Sequence, residues 1–137
     1  MNQQTEKMPT FFRFEDLRIY HKALDYICWV QEISSMMPDN DRVDFIRSFN
    51  NAARQIALNI AEGSARNKAQ FVYHLKISKS AIRECLVYTT LAYKNNLLTD
   101  SHNEESRNQL MEMTKMLGAL ITSLQRSGSS SHDQDDE

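Results

Sequence analysis

Arg54-Gln55-Ile56-Ala57-Leu58-Asn59-Ile60-Ala61-Glu62-Gly63 decides how the rest of this chain is read. It ends a long amphipathic pattern on a glycine, the residue that most readily takes the left-handed C′ position closing many helices. A basic segment then opens the next helix: Arg66, Lys68, Lys76, Lys79 and Arg83 follow, with Glu62 and Glu84 nearby to offset them. The stretch therefore predicts a helical hairpin and, beside it, the most electropositive surface of the protein.

Working outward, the same period of 3.6 recurs. Helix one is expected over about 15–36, with Ile19, Ala23, Tyr26, Ile27, Val30 and Met37 on one face. Pro38 breaks it, and Asp39-Asn40-Asp41 supplies the next N-cap. Helix two covers about 42–62, with an apolar stripe of Phe45, Phe49, Ala52, Ala53, Ile56, Ile60 and Ala61 whose alanines let a neighbour approach closely. Helix three spans about 68–95 behind an Asn67 cap and buries Phe71, Leu75, Ile82, Leu86 and Tyr88. Helix four, about 103–126, follows a Ser101/Glu104 capping box and buries Leu110, Met113, Leu117, Leu120, Ile121 and Leu124. Each rod is about 30–40 Å long at 1.5 Å per residue.

Composition agrees. The 137 residues suit one domain, and 41% hydrophobic with 25% charged residues is the balance of an ordinary globular chain, not a disordered one. Three glycines and two prolines are too few for the turns of a sandwich or barrel. The expectation is all-α: an antiparallel up-down-up-down four-helix bundle over 12–127. Residues 1–11 read as a disordered leader, from which Phe11, Phe12 and Phe14 fold back as a clasp over the bundle end. Residues 128–137 read as a disordered acidic tail, placed to shield the basic face.

The net charge of −2 hides an asymmetry. The last ten residues carry four acidic side chains and no Lys or Arg, whereas Arg42 to Lys94 holds nine basic against three acidic residues. Such a centre attracts polyanions. On a helical wheel Lys68, Lys76, Lys79, Arg83 and Lys94 fall within roughly 80° of one another. That array either tracks a phosphate backbone, releasing counterions on binding, or is simply a solvated face. Arg47, Asn51, Arg54 and Leu58 lie opposite the apolar stripe of helix two, and a leucine among arginines there suggests a subunit contact. Trp29 sits on the polar side of helix one, either as an interface anchor or packed at the core edge. Asn59, Glu62 and Gly63 read as structural: Asn59 bonding across to a neighbour, Glu62 pairing with Arg66 against the helix dipole.

The order Phe14-Glu15-Asp16-Leu17, Ile56-Ala57-Leu58-Asn59-Ile60-Ala61-Glu62-Gly63, Phe71…Leu75…Ile77-Ser78-Lys79-Ser80 and Glu84 resembles the four-helix-bundle family encoded in intervening sequences of bacterial 23S ribosomal RNA genes. That family is similar in turn to the accessory variability determinant of diversity-generating retroelements, a reverse-transcriptase partner. The resemblance covers about 12–126. It implies a compact bundle, a homo-oligomer that is commonly a ring-shaped pentamer, and binding of structured RNA or a ribonucleoprotein.

Enzyme chemistry is not expected. His21, His74, His102 and His132 lack zinc-ligand spacing, the carboxylate and Glu-x-x-His set of di-iron bundles is missing, and no phosphate-binding glycine loop or nucleophile elbow occurs. No cofactor or metal is implied. A helix-turn-helix fails because both helices around Gly63 exceed twenty residues. Cys28 and Cys85 are expected as buried or half-buried thiols, not a disulfide. No apolar run reaches the ~20 residues of a membrane span and residues 1–7 lack a signal core, so the expected setting is cytoplasmic. Two functions remain: a non-enzymatic, homo-oligomeric RNA or ribonucleoprotein binder acting through Arg66, Lys68, Lys76, Lys79 and Arg83, or a protein-interaction scaffold using Trp29 and the outer face of helix two.

Overall fold

The computed structural model describes residues 11–38 and 42–127. Residues 1–10 of the expected 1–11 leader, the Asp39-to-Asp41 cap and the acidic tail lie outside them. Four helices follow one another: α1 (Arg18–Ser35), α2 (Val43–Ser64), α3 (Lys68–Lys94) and α4 (Asp100–Ser127), with no strand among the described residues. Each packs on its neighbour in sequence, and α4 closes on α1, giving the all-α antiparallel bundle. No helix among the described residues is long and apolar enough to cross a membrane.

The ends of the helices correct several boundaries. Arg13–Asp16 forms a separate 3-10 turn, and extended Leu17 (φ −87°, ψ 126°) divides it from α1. At the same end of the bundle, α2 runs through Gly63 to Ser64, and Gly63 has no positive φ. It is therefore not the left-handed stop expected of it. Gly63 is buried against α3, where a Cβ would fall 2.6 Å from His74 Cβ and 3.0 Å from Phe71 Cδ1. The glycine is required by proximity, not by backbone conformation.

Asn67 caps α3 by accepting the Gln70 N–H at 2.9 Å. α3 ends in a Schellman arrangement: Leu97 N–H reaches Ala92 O (2.8 Å), Asn96 N–H reaches Tyr93 O (3.0 Å), and Asn96 takes φ 61°. α4 begins earlier than its apolar pattern because Thr99, not Ser101, is the cap, its Oγ1 accepting the His102 N–H at 3.0 Å.

The core is one long seam with a smaller cluster at one end. Ala23, Tyr26, Val30, Phe49, Ala53, Ile56, Ile60, Leu75, Cys85, Met113 and Leu117 are fully enclosed, while Ile33, Met37, Ala92 and Leu98 close the α1–α2 end. Ile27, Phe45, Phe71, Leu86 and Tyr88 pack against the seam while half-buried. α2 and α3 pack closely at Gly63, and Ser78 Oγ donates across to the Ile56 carbonyl at 2.9 Å.

A second polar element crosses the core. Thr89 donates to the Cys85 carbonyl (2.8 Å), so its hydroxyl oxygen must accept from Ser106, which in turn accepts from Tyr26. Both hydroxyl–hydroxyl distances are 2.8 Å. This directed chain joins α1, α4 and α3, and burial drives the Tyr26 phenol far above its usual range, so it stays a donor.

The two cysteines differ. Cys85 is buried, and burial followed by the charge of Glu84 pushes its thiol up to about 12. Cys28 is exposed, against the expectation that both would be covered: its place on α1 faces away from the seam. A thiol reagent is therefore expected to modify Cys28 rapidly in the native protein and Cys85 only on unfolding. Gly63→Ala should lower stability by roughly 1–3 kcal/mol through overpacking. Gly118→Ala, where nothing lies within 4 Å of the new Cβ, should raise it by about 0.5–1 kcal/mol. Urea unfolding of the two variants measures both signs.

Candidate nucleic-acid interface

Antiparallel packing lays the C-terminal half of α4 beside the first half of α3. Period 3.6 then brings Lys76, Lys79, Ser80 and Arg83 to one wall of a groove, with Gly118 and Thr122 on the other and Ile121 beneath. The groove is open and holds about 430 Å³. Gly118 widens it, since α4 carries no side chain there. Lys76 and Lys79 are half-buried, which fits aliphatic stems lying along the helices. Arg83 donates to Ser80 Oγ at 3.2 Å. No carboxylate lines the groove among the described residues.

The other two basic candidates sit differently. Lys68 Nζ donates to Ser127 Oγ at 3.2 Å, placing it at the mouth where α4 ends. Arg66, on the α2–α3 turn, is engaged by the Glu62 carboxylate, with Nε 2.9 Å from Oε2 and a second, shorter contact from the guanidinium. Much of its charge is thus offset locally. Lys94, eleven residues beyond Arg83, lies roughly 16 Å farther along the helix and takes no part. Of the stripe, three members meet in one place.

The opposing wall is what sequence reasoning missed. Gly118, Ala119, Thr122 and Ser123, with Arg126 and Ser127, line a second open depression that shares Gly118 and Thr122 with the groove. Their signal was present: small residues spaced at 118, 119, 122 and 123 within an otherwise bulky helix. The far half of α4 is of opposite sign, with Asp100, Glu104, Glu105 and Glu112 along one open face. There Tyr93 donates to Asp100 at 2.6 Å, which holds its phenol proton more tightly than usual, and Lys22 pairs with Glu112 at 3.3 Å.

On α2, Arg47 is bound to Asp44 at 2.8 Å and Arg54 donates to Asn51 Oδ1, so both guanidiniums are held by their own helix. Leu58 stands 56% exposed. Trp29 is half-buried, stacked on Tyr26 with centroids 5.8 Å apart and meeting His102 edge-on. Asn59 is buried: its Oδ1 accepts from His74 Nδ1 at 3.0 Å, and its amide donates to Gln55 O at 3.0 Å. Asn59 and Gly63 thus both meet His74, and the three residues tie the hairpin together.

Chemically the groove offers the positive charge of Lys76, Lys79 and Arg83 and a hydroxyl pair, Ser80 and Thr122. Among the described residues no three His, Cys, Asp or Glu side chains gather as a metal site. The enclosed hydroxyls of Tyr26, Ser106, Thr89 and Ser78 are bonded to one another or to main-chain carbonyls.

Comparison with known proteins places the chain. No curated protein matches it. A crystal structure of a Bacteroides thetaiotaomicron protein of unknown function, from the S23 ribosomal protein family, shares the fold with a TM-score of 0.70. The two are 18% identical over 76% of this chain and 95% of the other. The family model for the 23S rRNA-intervening sequence protein matches residues 15–119. Matched over most of its length, the chain belongs to the 23S rRNA-intervening sequence protein family.

Proposed function

We propose that this protein is a non-enzymatic, cytoplasmic helical bundle that holds RNA, alone or in a ribonucleoprotein, by its phosphate backbone in the α3–α4 groove. The observation that supports this reading is the convergence of Lys76, Lys79 and Arg83 on one groove. Lys68 extends the track at its mouth, and Arg66 joins it only when Glu62 lets go. Contacts of this kind follow backbone shape and charge, so binding is salt-sensitive and tolerant of sequence. Assembly into a homo-oligomer, a ring-shaped pentamer in the proposal, would multiply the grooves and convert weak contacts into avidity. Kinship with the accessory determinant of diversity-generating retroelements belongs to the same proposal and rests on the Ile56-to-Gly63 segment.

A second reading, a protein-interaction scaffold without nucleic acid, is favoured by Leu58, an exposed leucine amid Arg47, Asn51 and Arg54. The absorbance ratio of gently purified protein separates the two: retained nucleic acid supports the groove, whereas clean protein with a co-purifying polypeptide supports the scaffold.

Combined charge reversal at Lys76, Lys79 and Arg83 is expected to abolish retention of a structured RNA while leaving the melting temperature within a few degrees of wild type. Neutralising them singly should flatten the dependence of log K on log salt by about 0.7–0.9 per residue. Unchanged RNA binding by the triple variant would refute the assignment.

A further inference from the structure

At the end of the bundle where α2 turns into α3, four aromatic rings form a continuous run. Phe11 meets Phe12 edge-on at 5.0 Å, Phe12 leans on Phe14 at 5.9 Å, and Phe14 meets Tyr20 at 4.9 Å. The inner members are half-buried, Tyr20 against the main core, so the run is braced from below. Its outer members are the more exposed, Phe11 by 89% and Phe12 by 54%. These rings face Ala61, Ser64, Ala65 and Arg66 across an open depression of about 310 Å³ that Arg13 also lines. Two arginines, Arg13 and Arg66, thus line the same depression as the phenyl rings.

The depression lies at the end of the phosphate track. Arg66 is two residues from Lys68, and Lys68 touches Ser127. Ser127 and Arg126 line the depression that shares Gly118 and Thr122 with the basic groove. Around this end Arg13, Arg18, Arg66, Lys68 and Arg126 outweigh Glu15, Asp16 and Glu62. Phenyl rings standing in water beside arginines, in line with a row of phosphate contacts, are the elements that hold unpaired nucleotides: bases stack on rings while cations follow the backbone. Bases inside a duplex present no free face to such a ring.

Resting on the RNA-binding reading above, we infer that Phe11 and Phe12 form a stacking platform for unpaired bases, so that the preferred ligand is structured RNA ending in a single-stranded extension. The duplex or loop backbone lies along Lys76, Lys79 and Arg83, and the extension passes Lys68 to reach the rings.

The test uses the full chain and two fluorescent RNAs, one blunt hairpin and the same hairpin with a four-nucleotide single-stranded extension, compared by anisotropy at one fixed salt concentration. Wild type should bind the extended RNA about 5- to 100-fold more tightly. Phe11→Ala/Phe12→Ala should erase that preference while keeping wild-type affinity for the blunt hairpin, its salt slope and its helicity. Phe11→Trp should keep the preference, with its indole emission changed by the extended RNA and not by the blunt one. Equal binding of both RNAs by wild type, or full preference in the double-alanine variant, overturns the platform and leaves the groove standing. Failure of wild type to bind either RNA overturns both. A lower solution mass for the double-alanine variant assigns the rings to contact between protein chains instead, and also overturns the platform.

Discussion

The distance between α2 and α3 is set by what their facing surfaces lack. Gly63 presents no side chain to His74 and Phe71, and nearby the two backbones lie close enough for Ser78 to donate directly to the Ile56 carbonyl. A main-chain acceptor inside a helix already has one partner, and a second donor reaches it only at short range. The approach also brings His74 against Gly63 and within 3.0 Å of Asn59. The Lys68-to-Arg83 face is then a consequence: once the inner side of α3 is pinned to α2, its charged side points toward α4 and solvent. Packing on one side of the helix decides the electrostatics on the other.

That arrangement also gives the molecule two ends of different character. One end carries the groove, the Lys68 mouth and the aromatic run. The other carries the open acidic face of α4, with Asp100, Glu104 and Glu105 near the α3–α4 connection. A polyanion approaching such a body meets repulsion along half of α4 and attraction along the rest, so the field orients it before any contact forms.

How much of this was legible depended on which physical signal carried it. The bundle followed from apolar periodicity and from Asn67 and Pro38, because burial of one helix face is a strong and local signal. The hydroxyl chain of Tyr26, Ser106 and Thr89 was not legible, since periodic hydrophobicity counts buried Ser and Thr as surface residues. Gly63 was read from its position at a turn, but glycine answers equally to a left-handed backbone and to a crowded neighbour, and sequence alone does not separate them. Asn96 carried the positive φ instead. Lys76, Lys79 and Arg83 share a face by spacing on one helix, so their clustering was readable. Gly118 and Thr122 oppose them only because of how α4 is rotated in the bundle, which depends on contacts far away in the chain. The exposure of Phe11 and Phe12 was likewise hidden, because an aromatic trio before a helix reads first as a cover for the core.

The hydroxyl chain has one more consequence. Its polarity is dictated at a single terminus, where Thr89 commits its hydroxyl hydrogen to a bond with a main-chain oxygen, and every partner upstream inherits that direction. Sliding α4 by a turn, about 5.4 Å, would orphan two oxygens in a dry interior, and each orphan is costly. The bundle therefore has a detent at this depth: α4 rests in one notch relative to α1 and α3.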